Sequence, residues 1–151
     1  MAHEPRIDQL RREYARGPLE REHLDPDPIK QFQRWFEEAC DRIELEPNGM
    51  TLSTVDDSGA PASRVVLLKY FDENGFVFFT NLESRKAAHI KANNRVSLLF
   101  WWTELERQVA IDGVAERISS MESAKYFVTR PRGSQLGAWV SEQSHVLTSR
   151  K

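Results

Sequence analysis

Between residues 50 and 116 the chain repeats one pattern five times: a short run rich in β-branched and aromatic residues, then a cluster of turn formers. The runs span 50–55, 63–70, 76–80, 96–102 and 105–116, and their composition predicts strands. Asp57-Ser58-Gly59 and Asp72-Glu73-Asn74-Gly75 supply hairpin turns between the first three. Strands so closely linked predict an antiparallel meander, and closure into a barrel would remove its exposed edges. A helix over 84–92 is the one expected interruption.

Helices are expected on either side. Asp27 is placed to cap a helix with Pro28 at its first position, and Ile29, Phe32, Phe36, Ala39 and Ile43 then recur on one stripe. Lys30, Arg34, Glu37 and Glu38 point elsewhere, and Pro47-Asn48-Gly49 ends the segment. Upstream, residues 6–16 read as a charged helical arm closed by Gly17. Downstream, Ser119 and Glu122 have capping-box spacing for a helix to Thr129, Arg130-Pro131-Arg132-Gly133 breaks it, and 135–140 suit one more short helix.

With 151 residues there is room for one core, so one domain is expected, mainly β with flanking helices: an arm over 1–24 and a body over 25–151. No apolar run is long enough to cross a bilayer. The N-terminus has acid and proline where a secretory signal has a basic and then an apolar stretch, and Cys40 has no partner for a disulfide. A cytoplasmic protein is expected, with Cys40 a half-buried packing thiol. His3, His23, His89 and His145 are scattered and read as surface residues, so no metal site and no nucleophilic catalytic residue is expected.

The net charge is −2, yet the cations are concentrated. Arg64-Val65-Val66-Leu67-Leu68-Lys69 ends in a cation on each strand face, with Arg64, Val66 and Leu68 on one and Val65, Leu67 and Lys69 on the other. Alone it reads as an edge strand guarded by charge. Arg85 and Lys86 fall in the first turn of the 84–92 helix, where cations oppose the helix dipole and an anion would relieve the conflict. Tyr126 and Arg130 share a helix face with Ser134 just beyond: a hydroxyl, a forked guanidinium and another hydroxyl. Gln108 offers an amide to a heterocycle edge, although an exposed strand glutamine is the commoner case. These groups suggest two sites for anions, and phosphate suits them best. Nucleic acid is disfavoured, because the cations are interleaved with acids.

Taken in order, Arg11-Arg12-Glu13-Tyr14, Arg64 to Lys69, Phe79-Thr80-Asn81-Leu82-Glu83-Ser84-Arg85-Lys86, Leu105-Glu106-Arg107-Gln108-Val109, Lys125-Tyr126-Phe127, Arg130 to Ser141 and Gln143-Ser144 resemble the pyridoxamine 5′-phosphate oxidase family, of the FMN-binding split-barrel fold. The resemblance implies that FMN is held by Arg64, Val65, Val66, Leu67, Leu68, Lys69, Phe79, Thr80, Arg85, Lys86, Gln108, Gln143 and Ser144. It implies that the substrate phosphate is held by Lys69, Tyr126, Arg130 and Ser134, while Arg11, Arg12, Glu13 and Tyr14 close over the substrate. FMN would lie at the interface of a homodimer. The reaction implied is oxidation of pyridoxamine or pyridoxine 5′-phosphate to pyridoxal 5′-phosphate: a hydride leaves C4′ for the flavin, and dioxygen is reduced to hydrogen peroxide. The flavin carries the hard chemistry, and the protein stacks and orients the rings.

Members of that family continue past the point where this chain stops at Lys151, through barrel strands and a Trp, an Arg-x-His pair and a further Arg. The barrel is therefore expected to be incomplete at the C-terminus, with flavin binding weakened and turnover reduced or lost. Two other readings stay open: a non-catalytic binder of pyridoxal phosphate and FMN, and another split-barrel flavoprotein such as a flavin reductase, in which Tyr126, Arg130 and Ser134 would lack a purpose.

Overall fold

The computed structural model describes residues 12–119 and 121–122. Its first long element, α1 (Pro28–Arg42), begins as the sequence requires: the Asp27 carboxylate accepts the backbone N–H groups of Ile29 at 2.9 Å and Lys30 at 3.4 Å. The apolar stripe turns inward, burying Phe32 and Ala39 with Phe36 half-buried beside them. The capping box at Ser119 also forms, since Glu122 N–H donates to Ser119 Oγ at 3.2 Å while the Glu122 carboxylate accepts from Ser119 N–H at 3.2 Å.

The strands are β1 (Gly49–Val55), β2 (Pro61–Asp72), β3 (Gly75–Phe78), β4 (Arg95–Trp102) and β5 (Arg107–Val114), with α2 (Arg85–Ala92) between β3 and β4. All pairings are antiparallel, in the order β3-β2-β1-β4-β5, and the sheet curls into a half-barrel. A simple meander is not what forms. After β3 the chain passes through α2 and lays β4 on the free edge of β1, so β3 and β5 are the edges among the described residues. The reading of 64–69 as a guarded edge strand holds in part: β2 lies between β1 and β3, but β3 pairs with it only from Leu68 onward. At the β1–β2 turn the Asp56 carboxylate accepts from Ser58 and Ala60 N–H, and Gly59 takes φ +88°, a conformation only glycine adopts without strain.

One face of the sheet is the core. Met50, Leu52, Val66, Leu68, Leu98, Phe100 and Trp102 are buried there under α1. The Phe32 ring centroid lies 4.9 Å from those of Phe71 and Phe76 and 5.2 Å from that of Phe100. In register, Leu52 pairs with Arg64 and Leu98, and Leu98 with Ile111. Arg64 therefore ends an otherwise apolar row on the core face.

Two boundaries differ from expectation. The last run starts as a strand only at Arg107; Thr103–Leu105 form a 3-10 turn whose Leu105 is buried and whose cap, Glu106, has φ +51°. Residues 12–15 of the arm are not helical, because the N–H groups of Ala15 and Arg16 go to the Glu106 carboxylate instead of to carbonyls one turn back. Residues 6–11, the helix beyond 122 and the segment 135–140 lie outside the described residues.

Candidate functional site

Arg64 is the centre of the cation cluster. Its Nη1 donates to Thr54 Oγ1 at 2.6 Å and to the carbonyls of Leu52 and Ala62, both at 3.1 Å, which holds the guanidinium against β1. Nε and Nη2 make no hydrogen bond among the described residues, so half of the fork is free for a ligand. Burial, and then the field of Arg85, push Arg64 below the usual arginine range.

α2 delivers the other two cations. Ser84, fully buried, accepts the Ala87 N–H at 3.3 Å and hydrogen-bonds Thr80 Oγ1 at 3.1 Å, which locks the loop from Phe79 into the helix. Arg85 is exposed, whereas Lys86 is only 2% exposed. Burial, and then Arg64, push the Lys86 ammonium below its ordinary value. Three cations gathered at a helix N-terminus would attract a phosphate monoester, and the forked, point-like and backbone donors match its oxygens.

The rest of β2 divides by face. Val66 and Leu68 are in the core, Val65 is 63% exposed on the opposite face, and Lys69 sits exposed at a register shift between Leu68 and Tyr70. Because β3 pairs only from Leu68 onward, residues 61–67 keep one backbone edge that no described strand covers. The Leu68 N–H bonds to the Asn48 carbonyl, so by alternation Arg64 and Val66 also turn their backbone groups to β1, and those of Val65 and Leu67 face the open edge, where a planar polar ligand could reach them. Gln108 is exposed on the face away from Arg64, beside Trp101, with β1 and β4 between β2 and β5. The structure unites Arg64, Arg85, Lys86 and Thr80 but does not bring Gln108 to them. Arg11, Tyr126, Arg130, Ser134, Gln143 and Ser144 lie outside the described residues.

The arm is held elsewhere. Glu106 Oε2 accepts the N–H groups of Ala15 and Arg16, both at 3.0 Å, and Oε1 lies 3.5 Å from Arg12 Nη2; its side chain is 7% exposed. Arg16 also pairs with Glu38 at 2.8 Å, and Glu38 with Arg107 at 2.9 Å, while Arg107 lies 4.5 Å over the Trp35 ring. Tyr14 is 82% exposed. Glu106→Ala should therefore speed tryptic cleavage after Arg16 by at least about tenfold, because two charge-assisted hydrogen bonds are lost; an unchanged rate would deny the anchor.

The hydrogen bonds from Arg16 and then Arg107 hold the Glu38 carboxyl below its ordinary value. A depressed carboxyl contributes stability that is present above the unfolded value near 4.3 and lost as pH falls through the lowered one. The Glu38 carboxyl carbon should titrate by NMR below 4.3, and Arg16→Ala should move the midpoint up.

Sequence reasoning missed Thr54, Glu106 and His89. His89 is half-buried, with Nδ1 3.0 Å from Thr54 Oγ1, and not the surface residue expected; its position four residues after Arg85 was the only signal. Cys40 is exposed instead of half-buried, and local desolvation, then Asp41 and Glu37, push its thiol above its ordinary value. No helix among the described residues is long and apolar enough to cross a membrane.

The curled sheet with its two helices defines a class: the fold is that of FMN-binding split-barrel proteins. A pyridoxamine 5′-phosphate oxidase-related, FMN-binding protein from Nostoc punctiforme superposes with TM-score 0.68 at 14% identity, over 84% of this chain and 70% of that one. PhzG from Burkholderia lata, solved with tetrahydrophenazine-1-carboxylic acid, gives TM-score 0.79 at 29% identity, over 88% and 67%. Residues 36–151 match the family described as pyridoxamine 5′-phosphate oxidase, and the chain belongs to it. It is 59% identical over 145 residues to the pyridoxine/pyridoxamine 5′-phosphate oxidase of Rippkaea orientalis, covering 96% of this chain and 68% of that one. Identity to the enzyme of the same name from Rubrobacter xylanophilus is 58% over 142 residues, 94% of this chain and 65% of that one. The chain thus spans about two thirds of the relatives it matches.

Proposed function

We propose that this chain binds FMN and takes part in oxidising pyridoxamine or pyridoxine 5′-phosphate to pyridoxal 5′-phosphate, with dioxygen as acceptor. The observation that carries the reading is the convergence of Arg64, Arg85 and a buried Lys86, charges that an anion would stabilise. FMN bound there would supply a hydride acceptor for the substrate C4′ carbon and, with dioxygen, yield hydrogen peroxide.

Every other task falls to the chain. Arg64 would fork onto the flavin phosphate through its free nitrogens, with Lys86 and Arg85 neutralising the second charge. Phe79 and Thr80 would wall the loop side, while the open edge at residues 64–67 would hydrogen-bond the ring. Val65 and Leu67 would act through the backbone at the open edge, while Val66 and Leu68, with side chains in the core and the Leu68 backbone bonded to Asn48, would hold the strand in place. Gln108, on the other sheet face, would join Gln143 and Ser144 at a site shared with a second copy of the chain, which makes a homodimer part of the proposal. Lys69, Tyr126, Arg130 and Ser134 would hold the substrate phosphate, and Arg11, Arg12, Glu13 and Tyr14 would exclude water over the ring. The setting proposed is the cytoplasm.

The test is direct. Protein purified with FMN should be yellow, should bind FMN more tightly than riboflavin, and should release one peroxide per pyridoxal phosphate formed. Flavin binding without peroxide would leave a non-catalytic binder, and absence of flavin binding would refute the proposal.

A further inference from the structure

We infer that His89 is a positioning residue for the flavin phosphate, acting on Arg64 through the hydroxyl of Thr54; the inference rests on the FMN reading above. The three groups form one line across the β1–β2 pair and α2. Arg64 Nη1 lies 2.6 Å from Thr54 Oγ1, which lies 3.0 Å from His89 Nδ1, and Thr54 is 1% exposed. A guanidinium only donates, so Thr54 oxygen accepts from Arg64 and has a single proton to give. His89 Nδ1 is the acceptor within reach, which makes it the unprotonated ring nitrogen and puts the imidazole proton on Nε2.

The consequence is a fixed hydroxyl. With its proton committed to His89, the Thr54 lone pairs face Arg64, and the guanidinium keeps Nε and Nη2 free for the phosphate. Loss of the acceptor lets the hydroxyl rotate, so Arg64 spends more time off its binding geometry. The charged groups around His89 are Arg64 on β2, Asp56 in the turn after β1, and Arg85 and Lys86 on its own helix. His89 therefore touches the site through Thr54 and stays outside the phosphate contacts themselves.

The experiment compares FMN with riboflavin, which lacks the phosphate, by fluorescence titration of the full chain. His89→Ala should weaken FMN binding about three- to tenfold, the range of one neutral hydrogen bond, and leave riboflavin binding unchanged. His89→Asn, which keeps an acceptor oxygen near the Nδ1 position, should restore FMN affinity. On a Thr54→Val background, His89→Ala should cost nothing further, because the path is already cut. Equal losses for both flavins, additive losses on the Thr54→Val background, or failure of Asn to rescue would each overturn the inference while leaving the FMN site standing. If the unaltered protein does not prefer FMN to riboflavin, the phosphate site itself is refuted, and this inference with it.

Discussion

Lys86→Met is expected to weaken FMN binding by about ten- to a hundredfold. In the free protein Lys86 is 2% exposed, and burial and Arg64 both disfavour its ammonium. The unfolded chain therefore holds that proton more tightly than the folded one. Stability rises with pH between the lowered folded value and the unfolded value near 10.4, and at neutral pH the cost is present. Methionine fills a similar volume without a charge. With FMN bound, the ammonium faces a phosphate, and a charge-assisted hydrogen bond of this kind contributes about 1.5–3 kcal/mol. Fluorescence titration with FMN measures the loss. Unaltered FMN affinity would withdraw Lys86 from the site.

Phe32→Ala should cost about 3–5 kcal/mol of unfolding free energy, the range for removing a large aromatic ring from a core that cannot collapse around the gap. Phe32 joins α1 to the sheet: its ring meets Phe36 from its own helix, Phe71 of β2, Phe76 of β3, and Phe100 and Trp102 of β4. Apart from Phe36, those neighbours come from three strands whose backbones are set by the sheet ladder, so little can move inward. Domains of this size are stable by about 5–15 kcal/mol, so a large share would be lost. The urea midpoint should fall with an unchanged slope. FMN affinity of the folded fraction should hold, since Phe32 is not among the residues assigned to the phosphate. A loss under 1 kcal/mol would show that the aromatic cluster repacks.

Several elements were legible because their causes are local. Asp27 and Pro28 start α1 by chemistry confined to three residues, and Ser119 with Glu122 closes its capping box within four. The strand runs were legible from alternation and turn residues, apart from Glu106, whose positive φ depends on the buried Leu105 and on its hold of the arm. The arm shows the limit of local rules. Residues 12–15 carry helix-forming side chains, yet a carboxylate 91 positions away captures the N–H of Ala15.

The candidate site was legible as a set of cations and not as a shape. Arg64, Arg85 and Lys86 stood out against a net charge of −2. Nothing in the order of residues said that β2 would run between two strands, that Lys86 would be buried, or that Thr54 and His89 would back Arg64. Likewise, Gln108 seemed a companion of Arg64 until the sheet put them on opposite faces.

What the residues alone determined is where helices and strands begin and where positive charge gathers, because caps, turns and alternation act over a few bonds. What only the tertiary structure decided is which strand lies beside which, which cation loses its water and which polar atom backs it. Those outcomes depend on surfaces from distant parts of the chain excluding solvent together, and no short stretch of sequence carries that information.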